Sequence, residues 1–475
     1  MNPTSTQLRL YSGLKTFTVA AGSMFSKFGL ISLVLIALGT SARAQSGEPG
    51  PVEISKSSNI RHLLNIPKQG PNENFFHSDL AFWGGLAIQG TYGGLNFYDI
   101  EDPEETVLIS QFSCPGGQGD PSVSPDGYLV FMSVDSARSD DTCASSAGSA
   151  TSPSSWEGVR IIDIADVSNP YQVAAVRTDC GSHTHTLVPD EVGDVVYIYV
   201  SSFGPNPAFP NCQPPHDAIS IIEVPLDDPA SASVIAKPVL FPDGGEPRTA
   251  GCSDITVFPE AGIAAGACMG QGVLLDISNP TAPYVITSVT DPNFAFWQSA
   301  TFNNDGSRVI FTDELGGGGG ATCNELIGPQ RGANAIYDIV GEGDARILVF
   351  RSYFKIPRHQ QNTENCVAHN GSIIPANRRD IMVQGWYQGG VSVWEFTDPD
   401  NPVEIGYFDR GPLDPRGIGG SWSAYWYNGY IYSSEIARGL DVLKITGTRG
   451  VSSANRVRQR FFNVQTQYEL EPGVN

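Results

Sequence analysis

The chain has 475 residues, with 28 Lys and Arg against 50 Asp and Glu, and its net charge of −22 disfavours nucleic acid and anionic membrane surfaces as partners. With 52 Gly, 34 Pro and few long amphipathic periods, the composition argues against a helical protein and for an all-β chain rich in turns.

Residues 29–40, GLISLVLIALGT, form an apolar run of signal-peptide length, preceded by Lys27 and followed by Ala42-Arg43-Ala44, a small-x-small cleavage pattern. Residues 1–44 are therefore expected to be a signal peptide cleaved before Gln45, with Met24 an alternative start to Met1. This segment carries Arg9, Lys15, Lys27 and Arg43 and no acid, so the mature chain would hold 24 basic against 50 acidic side chains, net −26. No later stretch reaches the ~18 apolar residues of a membrane span. The expectation is an exported protein, periplasmic or extracellular.

After a linker at 45–57, the chain is dominated by one recurring unit. An extended run ends in Asp-Ile or a variant, Asn/Asp-Pro follows, and a second apolar run begins. It is seen in GLNFYDIEDPEETVLISQF (94–112), GVRIIDIADVSNPYQVAAV (158–176), GVLLDISNPTAPYVITSV (272–289) and GVSVWEFTDPDNPVEIGYF (390–408). Two short strands joined by a turn cannot bury a face alone, so such units stack in a ring or array. If these are the third and fourth strands of propeller blades, the turns in PSVSPDG (121–127), LVPDEVGD (187–194), ITVFPEAG (255–262), ATFNNDG (300–306) and AYWYNG (424–429) separate the first strand from the second. Inner strands then begin at Asp79, Asp120, His185, Asp254, Ser299, Asn370 and Ser423. The fold expected over residues 58–445 is a seven-bladed β-propeller. The last unit supplies only three strands, ending at GLDVLKI (439–445), and SNIRHLLNI (58–66) reads as the N-terminal outer strand that closes the ring. The C-terminal tail, 446–475, carries Arg456, Arg458 and Arg460 before turning acidic and reads as a strap over a blade.

The repeat resembles that of the LVIVD-repeat β-propeller family, most closely in GVRIIDIADVSNP (158–170) and GVLLDISNP (272–280), and the resemblance covers most of 58–445. It implies the propeller fold and no particular reaction. The family's His-Asp pair at the start of the inner strand is replaced here by Ser78-Asp79, Ser253-Asp254 and His369-Asn370, so a role for that histidine does not transfer blade by blade.

Eight cysteines in an exported chain are expected to form disulfides. Three pairs share a spacing of about 40 residues: Cys143 with Cys180, Cys212 with Cys252, and Cys323 with Cys366. Each would tie the loop between second and third strands to the start of the next blade, on one face of the ring; Cys114 and Cys268 are left unassigned. Long loops at 135–157, 203–217 and 313–334 fall on the same face, the last containing the glycine run 316–320, read as a flexible loop.

Four of seven histidines, His77, His183, His185 and His369, fall at inner-strand starts, and His183-Thr184-His185 directs two rings the same way from an extended backbone. Together they are a candidate set for one transition metal (Cu, Mn, Fe or Zn). Asp79, Asp120, Asp254, Asp313 and Glu435, with Glu314, add carboxylates at the same level, and Trp297, Trp386, Tyr387 and Trp422 add rings that could bind a sugar or aromatic group. The same residue types also hydrogen-bond neighbouring backbones in propellers. Asp135, Asp140 and Asp141 are too irregularly spaced for a calcium loop and read as solvated. No nucleophile elbow, phosphate loop or dinucleotide fingerprint occurs. The expected function is a binding module taking a protein, glycan or small polar ligand on the looped face. The alternative is a metal-dependent propeller enzyme, an oxidoreductase or lyase, working through the axial histidines.

Overall fold

The computed structural model describes residues 54–190, 194–246 and 248–469. The expected signal peptide and its cleavage point lie outside the described residues. Among them, no helix is long and apolar enough to cross a membrane, and the only α-helix is Val451–Ala454.

The strands form antiparallel meanders in chain order. The first runs His77–Trp83, Leu86–Thr91, Gly94–Asp99 and Val107–Ser113. The next are Pro121–Val123, Leu129–Arg138, Trp156–Asp163 and Tyr171–Arg177, then Thr184–Pro189, Val195–Ser201, Ser220–Pro225 and Ser233–Ala236. They continue with Asp254–Phe258, Ile263–Cys268, Gln271–Asp276 and Tyr284–Val289, then Trp297–Phe302, Arg308–Asp313, Asn334–Val340 and Ile347–Phe354. A nine-stranded sheet contains Asn370–Ile374, Ile381–Gly385, Val391–Glu395 and Val403–Asp409, followed by Ser421–Tyr427, Tyr430–Glu435 and Gly439–Ile445. A short parallel pairing, Asn370 with Ser423 and Gly371 with Ala424, joins its two halves.

First strands are almost wholly buried while outer strands such as Tyr171–Arg177 and Ile347–Phe354 are largely part-exposed, as expected when sheets stack face to face around an axis. The core follows the same cycle. Apolar clusters sit between consecutive sheets, for example Ile88 and Phe97 with Val130 and Ile162, then Phe131 and Ile161 with Leu187 and Ile198. The cluster of Leu80, Phe82 and Tyr98 with Tyr425, Tyr432 and Leu440 packs the last meander on the first. The stack therefore closes on itself as a β-propeller.

The repeat motif has a mechanical reading. Asp99, Asp163 and Asp276, ending third strands, each accept the backbone N–H two residues on at 2.9 Å, and Asp102, Asp166, Asn279 and Asp398 repeat that turn at 2.9–3.1 Å. The motif glycine marks a close approach. A Cβ on Gly94, Gly158 or Gly390 would lie 2.0–2.1 Å from a carbonyl oxygen of the adjacent outer strand, at φ of +138°, +156° and +75°. Gly439 meets Ile66 in the same way, at 2.0 Å. Ile60–Ile66 indeed runs antiparallel beside Gly439–Ile445, so the N-terminal strand occupies the outer position of the last meander. Ser55–Lys56, within the expected linker, adds an edge to Val403–Asp409.

The tail does more than strap one blade. Phe461–Asn463 pairs with Ala81–Trp83 on the axial side. Asn463 brackets Val123 with two 2.8 Å bonds, the Thr466 hydroxyl donates to Leu187 O at 2.7 Å, Val257 exchanges bonds with Gln465 and Gln467, and the Gln467 amide brackets Phe302. The tail thus crosses the ends of five inner strands, on the face opposite the long loops.

Two expected disulfide pairings are corrected. The bonds are Cys114–Cys143, Cys180–Cys212, Cys252–Cys268 and Cys323–Cys366, so only the third pair stands and Cys143–Cys180 and Cys212–Cys252 do not form. A cysteine in a loop between second and third strands can reach the connection before or after its own sheet, and for Cys143 the earlier one wins. Buried Arg160 decides it, donating to the carbonyls of Pro115, Asp141 and Thr142 and so drawing both loops together. Cys252 and Cys268 face each other across one hairpin, where Ser253 N donates to Ala267 O.

Candidate functional site

First-strand starts and second-strand ends share one edge of every sheet, which gathers His77, Tyr92, Asp135, His183, Phe203, Phe296, Glu314, His369, Tyr387 and Trp422 on the looped face. The four histidines do not converge there. Among the described residues, no group of three or more His, Cys, Asp or Glu side chains could hold a metal ion. His185 is turned inward: its Nδ1 lies 2.8 Å from Ser133 Oγ and 3.6 Å from Asp120. Burial pushes its pKa down to about 3, and that of His77 also to about 3.

His183 and His369 remain at the mouth, each with its own carboxylate. His183 Nδ1 is 3.2 Å from Asp135 Oδ2, while Asp135 Oδ1 accepts Gln118 N at 3.1 Å, and the imidazole meets Phe203 edge-on at 4.7 Å. His369 Nδ1–H donates to Trp422 O at 2.5 Å, which leaves Nε2 as the lone-pair nitrogen, 3.7 Å from Glu314 Oε1. Burial pushes His369 down to about 4, so the ring is neutral at pH 7. The Tyr387 hydroxyl donates to Glu314 Oε1 at 2.6 Å. Burial pushes the Glu314 carboxyl up to about 7, against the opposing pull of this hydrogen bond and of nearby His183. Around the group stand Tyr387 at 4.7 Å and Trp422 at 5.0 Å from the His369 ring, Tyr92 edge-on to Trp422, and Phe296 beside Phe203.

The glycine run has a specific task here. Gly318, at φ +69°, would place a Cβ 2.5 Å from the Tyr387 hydroxyl and 2.9 Å from Glu314 Oε1, so only glycine lets this loop lie over the pair.

The other expected residues serve the scaffold. Asp79 accepts from Leu80 N, the Tyr425 hydroxyl and the Asn370 amide, Asp254 from Ile255 N and Thr184, and Asp120 faces His185 N at 3.4 Å. These bonds knit inner strands together around the axis. Burial raises all three carboxyls, and proximity to Asp79 and Asp254 raises Asp120 further. Asp313 accepts three loop N–H groups and Glu435 another three, and both anchor loops. Trp297 and Trp386 are corrected from ligand contacts to core: both are 0% exposed, the first against Phe311 and Phe294, the second near Phe354. Trp422 and Tyr387 lie at the looped edge, but they too are buried, packed with Val367 and Ile436. Asp135, read from sequence as part of a solvated loop, instead pairs with His183, and nothing in its spacing foretells this. Tyr92, Phe203 and Phe296 also escape a sequence reading, although each lies within two residues of a strand end at the looped edge.

No family model matches the chain, and no curated protein matches it. Among solved structures it is similar to hydrazine synthase of Kuenenia stuttgartiensis, at 10% identity and a TM-score of 0.51, over 80% of this chain and 98% of that one. It is also similar to the β-propeller domain of Cps50 (Swd1) from Myceliophteria thermophila, at 10% identity and a TM-score of 0.47, over 78% of this chain and 99% of that one. Likeness at such identity concerns the fold alone.

Proposed function

We propose that the chain is an exported seven-bladed β-propeller of LVIVD type that works as a binding module, taking a glycan or other small polar ligand, or a partner protein presenting such a group, at the axial mouth of its looped face. Four disulfides with no free cysteine among the described residues suit an oxidising compartment, periplasmic or extracellular. One observation carries the reading: Glu314 is a nearly buried acid with no Lys or Arg partner among the described residues, hydrogen-bonded to Tyr387 and walled by Trp422, Tyr92 and His369. A carboxyl kept in such surroundings serves a ligand hydroxyl or amine, and the half-buried rings of Tyr92, Phe203 and Phe296 supply stacking area. Covalently braced loops pre-organise the mouth.

Saturation-transfer NMR against a panel of neutral, acidic and amino sugars tests it. The wild-type protein should show ring-proton contact with at least one class, and both Trp422→Ala and Glu314→Gln should lose it. A signal that survives both substitutions would place binding elsewhere and overturn the reading. The metal-dependent oxidoreductase or lyase is the weaker second reading: His183 and His369 each stand beside a carboxylate, but no three-ligand group forms among the described residues. About one equivalent of transition metal in protein prepared without chelator, lost in His183→Ala/His369→Ala, would favour it over a binding role.

A further inference from the structure

A separate cavity of about 380 Å³ opens beside the third meander, between the connection around Asp179 and the loop containing Pro210 to Ser220. That is within the usual range of small-ligand pockets, and its lining is chiefly polar and charged, with no Trp, Tyr or Phe. Its walls are fixed. The Cys180–Cys212 disulfide ties the two loops, Cys180 N donates to Asn211 O at 2.9 Å, and the Asn211 amide donates to Ser155 O at 3.0 Å.

The lining charges are two cations, Arg177 and Lys237, and two carboxylates, Asp179 and Asp217. Lys237 is spent on Asp179 at 2.6 Å. Among the described residues Arg177 and Asp217 form no ion pair, and the Arg177 guanidinium makes a long 3.5 Å contact to Asn211 Oδ1. His216 donates from Nε2 to Ser202 O at 3.0 Å, and burial lowers its pKa, so it presents a neutral ring with Nδ1 as acceptor. A pocket of zero net charge, offering one free guanidinium and one free carboxylate, is complementary to a molecule with both charges.

We infer that this cavity binds a small zwitterion of amino-acid to dipeptide size, its carboxylate on Arg177 and its ammonium on Asp217. A free anion would meet a repulsive field from a chain of net charge −22, whereas a zwitterion meets none to first order. The bidentate geometry of guanidinium on carboxylate supplies orientation.

Calorimetric titration of the full chain with glycylglycine, its N-acetyl form and its C-terminal amide tests the inference. Glycylglycine should bind at one site, and each cap should weaken it by about tenfold or more. Arg177→Gln should abolish discrimination against the amide, and Asp217→Asn discrimination against the acetyl form. Glu314→Gln, at the axial mouth, should leave all three titrations unchanged, which keeps this site distinguishable from the proposed one. No saturable glycylglycine binding up to about 10 mM, or equal binding of capped and free forms by the wild type, would each overturn it. Wild-type discrimination between caps stands as a readout even where a variant fails to fold.

Discussion

Replacing Glu314 by Gln should stabilise the protein above neutral pH and leave it nearly unchanged in acid. In the unfolded chain the carboxyl titrates near its ordinary 4.5, and in the folded chain burial pushes this up to about 7. Below the unfolded value both states hold the proton and Glu314 contributes no pH dependence. Between the two values the unfolded chain releases its proton while the folded chain keeps it, so stability falls as pH rises. Above about 7 the cost is fully present, and a displacement of this size corresponds to ~3 kcal/mol. The side chain is 12% exposed, so solvent screening takes only a modest part of that. Gln keeps an acceptor for the Tyr387 hydroxyl and removes the ionisation. Urea unfolding of wild type and Glu314→Gln at pH 4.5 and pH 8 should show a gain of ~2–3 kcal/mol at the higher pH and under ~1 kcal/mol at the lower one. An equal difference at both, or a variant that loses stability as pH rises, would refute the claim that burial holds this proton. A stabilising substitution at a group the fold tolerates only at some expense is also what a ligand-binding position should show.

Gly318→Ala must move the loop off Tyr387 and Glu314, and together with the positive φ it should lower stability by about 1–3 kcal/mol, read by denaturant melts. Non-reducing peptide mapping should recover Cys114 with Cys143 and Cys180 with Cys212, and the Cys114→Ser/Cys143→Ser variant should lose about 3–4 kcal/mol in the chain-entropy account; a recovered Cys143–Cys180 peptide would refute the pairing. Arg160→Met removes donors to three carbonyls and should destabilise by roughly 2–4 kcal/mol, more than any single rim ion pair. A chain ending at Arg458 loses Asn463, Thr466 and Gln467, and its inner strands at Val123, Leu187 and Phe302 should exchange amide hydrogens faster, while unchanged protection would show the tail to be ornamental.

How far the sequence reaches depends on the range of the interaction involved. The Asp turn, the motif glycine and the apolar run between them act over a few residues, so the repeat is legible, and with it the strand order and the outer position of Ile60–Ile66 beside Gly439–Ile445. Cysteine oxidation is legible too, because it depends on compartment and count. Partner choice is different. Cys143 has two connections in reach, and buried Arg160, contacting both loops at once, selects Cys114; no spacing encodes that. The histidines follow the same rule. Their positions at strand starts are local, but the direction of each ring is set by what packs on it from the neighbouring sheet: Ser133 turns His185 inward, Asp135 holds His183 at the mouth, and Trp422 O fixes the proton on His369 Nδ1. Only the closed ring decides which of Asp79, Asp120 and Glu314 faces a neighbouring strand and which stands at the looped mouth, because burial and pairing there are properties of the stack and not of any one blade.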